Sequence, residues 1–152
     1  MKNKKWLDSE EEVMVADLEA AEKLAGVKVE SGDVLLVRTG NYKRVLETKE
    51  ILEIQKEPGL GVAATSWLHQ KEVSIIGSDT ANSHKSNLYP NINNPFHVIS
   101  LASMGLWILD NANLEELAKV CQEKNRWEFL ISINPLRLKN VTGSPVNPVA
   151  LF

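Results

Sequence analysis

The stretch VSIIGSD, residues 73–79, decides the fold class of this chain. A short apolar run ends in small and polar residues, which is typical of a buried strand with Asp79 at its carboxyl end. The run VLLVRTG (34–40) is also continuously apolar and ends in glycine, a pattern that favours a strand covered on both faces. WEFLISI (127–133) is predicted to be a third strand, and LWIL (106–109) is a further candidate.

Helical segments separate these strands. DLEAAEKLAG (17–26) has its apolar side chains at helical spacing and a glycine where the helix should stop. GVAATSWLHQKE (61–72) predicts a second helix, and Asn113 is placed to cap a third, with Glu116 completing a capping box. The third helix should present an apolar stripe formed by Leu114, Leu117, Ala118 and Cys121.

The alternation of helices with apolar strands predicts an α/β fold with a largely buried sheet. Residues 34–37, 107–109 and 129–133 are expected to form its core. The charged segment 41–59 is interpreted as a loop with a helical part. The segment 80–95, which is rich in Asn, Ser and Pro, predicts an exposed loop.

The length predicts one domain spanning residues 1–152. Charge and hydropathy argue against nucleic acid and membranes as partners. A net charge of −3 and a pI near 5.7 give no electrostatic footprint for nucleic acid. The single cysteine, Cys121, cannot form an internal disulfide, which suits a reducing compartment. The start of the sequence lacks the apolar region of a signal peptide, and the apolar run 98–109 is too short to cross a bilayer. We therefore expect a cytoplasmic protein that binds neither nucleic acid nor a membrane.

The polar residues that could carry chemistry lie at the ends of apolar segments. In NPFHVISLASMGLWILDN (94–111), His97 opens an apolar run and Asp110 closes it. Such a pair can cap a core segment, or it can project into one site from adjacent elements. Asp79 lies where ligands gather in open α/β sheets, but it can equally end its strand in an Asx turn. His69 is expected to lie on the surface, and His84 falls in the polar loop.

No common metal, nucleotide or hydrolase motif is present: CxxC, HExxH, GxGxxG, GxxxxGK[ST] and GxSxG are all missing from the sequence. A zinc site usually takes three or four N, O or S ligands, whereas His97 and Asp110 supply two. From the residues alone, the prediction stops at an α/β domain with a two-ligand site.

Four longer strings resemble the cyclase family of metal-dependent hydrolases, which includes kynurenine formamidases (arylformamidases) and isatin hydrolases. They occur in the family's order and cover most of residues 16–152. They are ADLEAAEKLAGVKVESGDVLLVRTG (16–40), GLGVAATSWLHQKEVSIIGSD (59–79), NPFHVISLASMGLWILDNANLEELAKVC (94–121) and RWEFLISINPLRLKNVTGSPVNPVALF (126–152).

The resemblance implies a three-layer β/β/α fold of the swivelling type with a mixed sheet. It also implies a divalent metal, zinc or manganese, and hydrolysis of amide or lactam C–N bonds. The family builds its metal site from an HxGTHxDxxxH motif and from a second histidine followed 12 or 13 residues later by an acidic or amide residue. By position, His97 resembles that second histidine and Asp110 its partner, which assigns both as metal ligands. Asp79 matches a family segment and is assigned a supporting role.

The sequence departs from the family because it contains no HxGTHxD string. It therefore resembles the C-terminal half of a cyclase-family protein, with an incomplete version of the family fold. One hypothesis is an arylformamidase-like enzyme part that acts on a small aromatic amide when a separately encoded N-terminal half docks. That hypothesis predicts exposed apolar surface and self-association into a homo-oligomer. The alternatives are a non-catalytic binding or interaction protein that retains the fold, or a new site built from Asp79, His84, His97 and Asp110.

Overall fold

The structure is a computed structural model that describes residues 4–82 and 89–152. A short 3-10 helix spans Ile54–Lys56, and a π-helical segment, Val98–Met104, continues directly from α4. The other helices and strands, in chain order, are β1 (Glu12–Val13), α1 (Val15–Ala25), β2 (Val34–Val37), α2 (Asn41–Thr48), β3 (Gly59–Leu60), α3 (Ala64–Gln70), β4 (Ile75–Ser78), α4 (Pro95–His97), β5 (Trp107–Leu109), α5 (Glu115–Lys124), β6 (Leu130–Ser132) and β7 (Val149–Leu151).

The main sheet has three parallel strands in the order β2-β4-β5. Val34 of β2 pairs with Ile75 of β4, and Ile75 in turn pairs with Trp107 of β5. Parallel neighbours need crossover connections, which α2 and α3 supply between β2 and β4, and α4 with the π-helical segment supplies between β4 and β5. Strands β1 and β3 form a second parallel pair, and β6 and β7 an antiparallel one. The prediction of an α/β fold is confirmed.

The core lies where α3 and the segment around α4 pack against the central strand. Leu60, Leu68, Ile76 and Phe96 are almost completely buried there. Gly77, in the middle of β4, allows close contact with both neighbouring strands, because a Cβ atom at this position would lie 2.6 Å from Leu36 Cδ2 and 3.3 Å from Leu109 Cβ. The central strand is therefore closely covered, as its apolar sequence predicts.

The prediction that residues 107–109 and 129–133 are core is wrong in part. Trp107 is 62% exposed because β5 is an edge strand of the described sheet, while Ile108 and Leu109 are half-buried. Leu130 is 68% exposed, since β6 does not join the main sheet and pairs only with β7 within the described residues. Strand β2 is half-buried along its whole length. The apolar pattern therefore identified strands correctly, but within the described residues no other element packs over the Trp107 and Leu130 side chains.

The helix predictions are confirmed in type, with shifted ends. Helix α1 ends at Ala25 and is capped by Gly26, whose φ of +69° is the left-handed conformation expected of a glycine after a helix. Helix α5 begins at Glu115 with Leu114 as its N-cap, so the predicted capping box of Asn113 and Glu116 is wrong; the Asn113 side chain instead accepts a hydrogen bond from the Glu115 N–H at 3.2 Å. Segment 41–59 contains α2 and the 3-10 helix, in agreement with the expected helical part.

In residues 4–82 and 89–152, no helix has the length and apolar character needed to cross a membrane.

The segment 80–95 was expected to be exposed, and its first residues are not. Thr80, Ala81 and Asn82 are buried, because they follow β4 into the interior beside the loop after β5. Residues 90–93 are exposed as expected. Residues 83–88, which include His84, lie outside the described residues, and so does the four-residue site that would include it.

Candidate functional site

The structure brings His97 and Asp110 into direct contact. His97 is the last residue of α4, and Asp110 follows the last residue of β5. The His97 Nε2 atom lies 2.8 Å from Asp110 Oδ2, within hydrogen-bond distance. Both side chains are partly buried, with exposed fractions of 19% and 31%. Of the two readings left open by the sequence, the structure supports side chains that meet from adjacent elements.

Asn94 fixes the other side of the imidazole. Its Oδ1 atom lies 2.8 Å from His97 Nδ1, so both ring nitrogens have a polar neighbour. A neutral imidazole has one N–H donor and one acceptor nitrogen. With Asn94 Oδ1 as its neighbour, Nδ1–H donates to that oxygen, and the Nε2 lone pair then faces the Asp110 carboxylate, an arrangement that a shared cation or proton would satisfy. Asn94 therefore sets the orientation of the ring. The sequence analysis missed it, although its place just before Pro95 at a helix start was a usable signal.

One oxygen of the Asp110 carboxylate is left without a partner. Among residues 4–82 and 89–152, Oδ1 is buried and makes no hydrogen bond, while Oδ2 contacts His97. A buried carboxylate oxygen without a donor is energetically costly, about 1–3 kcal/mol or more for a charged group. The arrangement thus presents an unsatisfied anionic oxygen beside a histidine ring. That combination suits a cation or a hydrogen-bond donor supplied from outside the described residues.

The backbone around Asp110 is held against the end of β4. The Asn111 N–H donates to the Thr80 carbonyl at 3.0 Å, and the Ala112 N–H donates to the Ser78 carbonyl at 2.9 Å. Asn111 has a φ of +55°, a left-handed conformation that asparagine tolerates and that turns the chain at this point. These two hydrogen bonds tie the loop after β5 to the segment after β4, and they hold the backbone next to Asp110 in place.

Asp79 follows the last residue of β4, and its carboxylate binds backbone and side-chain groups of Thr39 and Gly40. Its Oδ1 accepts hydrogen bonds from the Thr39 N–H and Oγ1 at 2.7 and 2.8 Å, and Oδ2 accepts from the Gly40 N–H at 2.9 Å. A longer contact reaches the Tyr42 N–H at 3.4 Å. The carboxylate thus anchors the N-terminal end of α2, and these donors use the oxygens that a ligand would need.

A polar network continues from Asp79 through Thr39, whose Oγ1 accepts a hydrogen bond from the Asn41 N–H at 3.2 Å. Arg44 is buried and donates to Asn41 Oδ1 through Nε at 3.2 Å and Nη2 at 2.9 Å. Glu57 accepts from the Ala81 N–H at 3.0 Å. Nearby, the pKa of Arg38 is raised, chiefly because its guanidinium donates two hydrogen bonds of 2.8 Å to Glu115. The sequence analysis missed this network because segment 41–59 reads as a charged surface loop.

His69 lies exposed on α3, as expected, and takes no part in this arrangement. Among residues 4–82 and 89–152, no three His, Cys, Asp or Glu side chains form a group that could hold a metal ion. His97 and Asp110 supply two donors, whereas protein zinc sites use three or four. The described residues therefore do not fit a complete metal centre on their own, and the free Oδ1 of Asp110 shows where the pair is unsatisfied.

Comparison with known proteins identifies the family. The sequence model of the Cyclase family, described as "Putative cyclase", matches residues 2–84. The chain belongs to the Cyclase family. No curated protein matches this Cyclase-family chain significantly by sequence.

Solved structures with the same fold agree with this assignment. A structure described as a novel cyclase has a TM-score of 0.82 and 27% identity, covering 97% of this chain and 49% of that one. Isatin hydrolase A from Ralstonia solanacearum has a TM-score of 0.69 and 26% identity, covering 98% of this chain and 54% of that one. A "predicted metal-dependent hydrolase" from Bacillus stearothermophilus shares the fold, with a TM-score of 0.58 at 16% identity, covering 96% of this chain and 64% of that one. The Cyclase-family chain thus spans about half the length of the first two structures.

Proposed function

We propose that this chain is one half of a metal-dependent hydrolase of amide or lactam C–N bonds, with arylformamidase-like substrates. In this proposal, His97 and Asp110 are its share of a zinc or manganese site that a complementary segment carrying an HxGTHxD motif completes. The single observation that carries the proposal is the 2.8 Å contact between His97 Nε2 and Asp110 Oδ2, with the second oxygen of Asp110 buried and unpartnered within the part of the chain that the structure describes. Membership of the Cyclase family and the likeness to an isatin hydrolase support it.

The chain's own contribution is to orient two donors. Asn94 holds the imidazole from its Nδ1 side, in the way that partners of ligating histidines fix ring orientation in metalloproteins. The loop after β5 is tied to the end of β4 and holds the Asp110 backbone. Two donors do not retain a catalytic metal, so hydrolysis requires ligands from the complementary segment.

Exposed apolar side chains near the pair support docking of a further segment. Val98 and Leu101 follow His97 along the π-helical segment, and Trp107 opens the strand that Asp110 follows; all three are exposed. Exposed apolar side chains that cluster on a surface mark interaction sites. A complementary segment that packs there would bring its own ligands close to His97.

Zinc titration by isothermal calorimetry tests the proposal with this chain alone. We expect weak one-site binding that is lost in His97→Ala and strongly reduced in Asp110→Asn. His69→Ala is the matched control, because His69 is exposed on α3 and takes no part in the His97–Asp110 contact, and it should bind zinc like the parent chain. Binding that survives His97→Ala would contradict the assignment. If the parent chain alone binds no zinc, the same titration in the presence of the complementary segment decides: no binding there would favour a non-catalytic interaction protein.

An activity assay addresses the reaction. Hydrolysis of an N-formyl aromatic amide in the presence of zinc or manganese is expected only after addition of a segment bearing the HxGTHxD motif, and it should disappear with His97→Ala. Activity that persists in that variant would show that the pair is not part of the site.

A further inference from the structure

Arg44, in the first turn of α2, is a buried cation without a carboxylate partner. The residue is 7% exposed, and its guanidinium forms no ion pair within residues 4–82 and 89–152. Residues 1–3 and 83–88 contain no Asp or Glu, so their side chains supply no carboxylate either. Arginine is almost never fully buried unless it is paired. The unpaired guanidinium therefore requires an explanation.

Arg38 shows how this chain pairs an arginine within its own fold. Its Nε and Nη2 atoms donate hydrogen bonds of 2.8 Å to the two oxygens of Glu115, although 31% of its side chain stays exposed. Arg44 is more buried, yet its Nε at 3.2 Å and its Nη2 at 2.9 Å share the single Oδ1 atom of Asn41. A neutral amide oxygen supplies no opposite charge, so most of the cost of burying this cation is not offset by Asn41.

One edge of the Arg44 guanidinium is left for a ligand. A guanidinium carries five N–H donors in a rigid planar fork, and Asn41 uses the edge formed by Nε and Nη2. The outer edge, formed by Nη1 and the second N–H of Nη2, has no acceptor among the described residues. Nη1 is not one of the solvent-excluded, unpartnered side-chain atoms of the described chain, which are Asn82 Nδ2, Ser100 Oγ and Asp110 Oδ1, so it keeps contact with solvent. Two parallel N–H groups that solvent can reach match the two oxygens of a carboxylate.

The charges around Arg44 favour a ligand with a single negative charge. Glu57 Oε1 lies 3.5 Å from Asn41 Nδ2, so the Asn41 amide separates Glu57 from Arg44. The other Glu57 oxygen accepts a hydrogen bond from the Ala81 N–H, and Asp79 accepts hydrogen bonds at the N-terminal end of α2. These two fixed carboxylates repel an incoming anion in proportion to its charge. A carboxylate is therefore preferred over a phosphate dianion.

Arg44 lies at the edge of the sheet where ligands of α/β proteins bind. Helix α2 follows the carboxyl end of β2, and Val37 at that end pairs with Ser78 at the end of β4. Ligands of open α/β sheets gather beyond the carboxyl ends of the strands. Neighbouring strands are about 4.8 Å apart, so the ends of β2 and β5 are separated by about 10 Å in the order β2-β4-β5. Arg44 thus belongs to the same edge as the His97–Asp110 pair without contacting it.

We propose that the outer edge of Arg44 binds the carboxylate group of a small organic acid. The two ligand oxygens accept hydrogen bonds from Nη1 and Nη2, while Asn41 holds the guanidinium plane from the opposite edge. This site goes beyond the proposed hydrolase function, because it requires neither a metal nor the complementary segment. The carboxylate belongs to a free acid or to an acid that also carries an amide, and the two probes acetate and N-formylglycine distinguish these sources.

Titration with sodium acetate, followed by NMR at a constant ionic strength set with chloride, tests the carboxylate site. The side-chain Nε–H signal of Arg44 should shift and reach saturation in the parent chain. Arg44→Lys keeps the charge but loses the fork, so acetate binding should weaken about tenfold or more. Arg38→Lys is the matched control, because Glu115 already occupies the Arg38 guanidinium, and this variant should bind acetate like the parent chain. Circular dichroism checks that both variants fold, and the Arg44 signal of the parent chain is a readout that needs no variant.

Two further ligands define the chemistry of the site. N-formylglycine should shift the same Arg44 signal, with tighter binding than acetate if the natural ligand carries an amide and equal binding if it is a free acid. Inorganic phosphate at the same concentration should shift the signal less than acetate does, because Glu57 and Asp79 repel its second charge. A larger effect of phosphate would overturn the assignment to a carboxylate.

Three results with acetate would overturn the site itself: a shift that never saturates, equally tight binding in Arg44→Lys, or loss of binding in Arg38→Lys. Each would mean that Arg44 only balances the charge of Glu57 through Asn41. His97→Ala should bind acetate like the parent chain, since the Arg44 guanidinium does not contact His97. Failure of the carboxylate site and failure of the metal-site proposal are therefore distinguishable.

Discussion

Two aspartates follow neighbouring parallel strands in this chain, and their carboxylates differ in how many of their oxygens are hydrogen-bonded. Asp79 accepts hydrogen bonds from Thr39 and Gly40 through both of its oxygens. Asp110 contacts His97 through one oxygen, and the other is buried with no partner among the described residues. The first arrangement is complete, which indicates a structural role, whereas the second is incomplete. This contrast separates the two residues by physical criteria, although each directly follows a strand.

Replacing Asp79 with alanine should destabilise the fold strongly. The buried N–H groups of Thr39 and Gly40 would lose their acceptor, and hydrogen bonds to a charged group contribute about 1.5–3 kcal/mol each. We expect the free energy of unfolding, measured in urea, to fall by about 2–4 kcal/mol. Asp8→Ala is the control, because Asp8 is exposed and its ion pair with Lys4 should contribute less than about 1 kcal/mol. A loss in Asp79→Ala no larger than in the control would contradict the anchoring role.

At the scale of elements, the junction between β2 and α2 depends on one glycine. Gly40 has a φ of +83°, and its N–H donates to Asp79. A Cβ atom there would lie 2.8 Å from the Lys5 carbonyl oxygen and 2.9 Å from Trp6 Cα, both in backbone that crosses the junction. Glycine is therefore needed at this position for its conformation and for the space that it leaves.

Comparison with a second glycine separates these two requirements. Gly32 has a similar φ of +88° but no atom within 4 Å of the added Cβ. Gly32→Ala should cost about 1–2 kcal/mol of unfolding free energy, from backbone strain alone. Gly40→Ala should cost roughly 1–3 kcal/mol more, because the backbone at Lys5 and Trp6 must move. Equal losses in the two variants, measured by urea unfolding, would show that the close approach is relieved without cost.

Elements were easier to predict from the sequence than the surfaces that cover them. Apolar runs and helix caps located β2, β4, α1 and α5, because those signals are local. The burial of Trp107 and Leu130 was predicted wrongly, since burial depends on which other element packs against a strand. Asn94 was missed as a partner of His97, because the contact depends on the helical turn that begins at Pro95, although the Asn-Pro pair at a helix start was a usable signal. The contact between His97 and Asp110 is consistent with the family resemblance, which paired them in advance of any geometry.

At the scale of the whole molecule, the exposed apolar side chains near the His97–Asp110 pair have a thermodynamic consequence. A segment that binds only the folded chain stabilises it by RT ln(1 + [L]/Kd), which is about 2.7 kcal/mol when the segment is present at about a hundred times its Kd. If a complementary segment carrying an HxGTHxD motif packs there, the thermal unfolding midpoint of the chain should rise as that segment is added. It should also rise for Leu24→Lys, because Leu24 is exposed on α1 and does not belong to the group formed by Val98, Leu101 and Trp107.

Trp107→Lys should behave differently in the same scans. Its unfolding midpoint should rise less when the segment is added, because a lysine charge covered by the segment would be unpaired. The core around Ile76 and Phe96 remains intact in this variant, so a cooperative transition should still be seen. A midpoint of the parent chain that does not change with added segment would contradict docking. An equal rise in the parent chain and in Trp107→Lys would place the docking surface elsewhere on the chain.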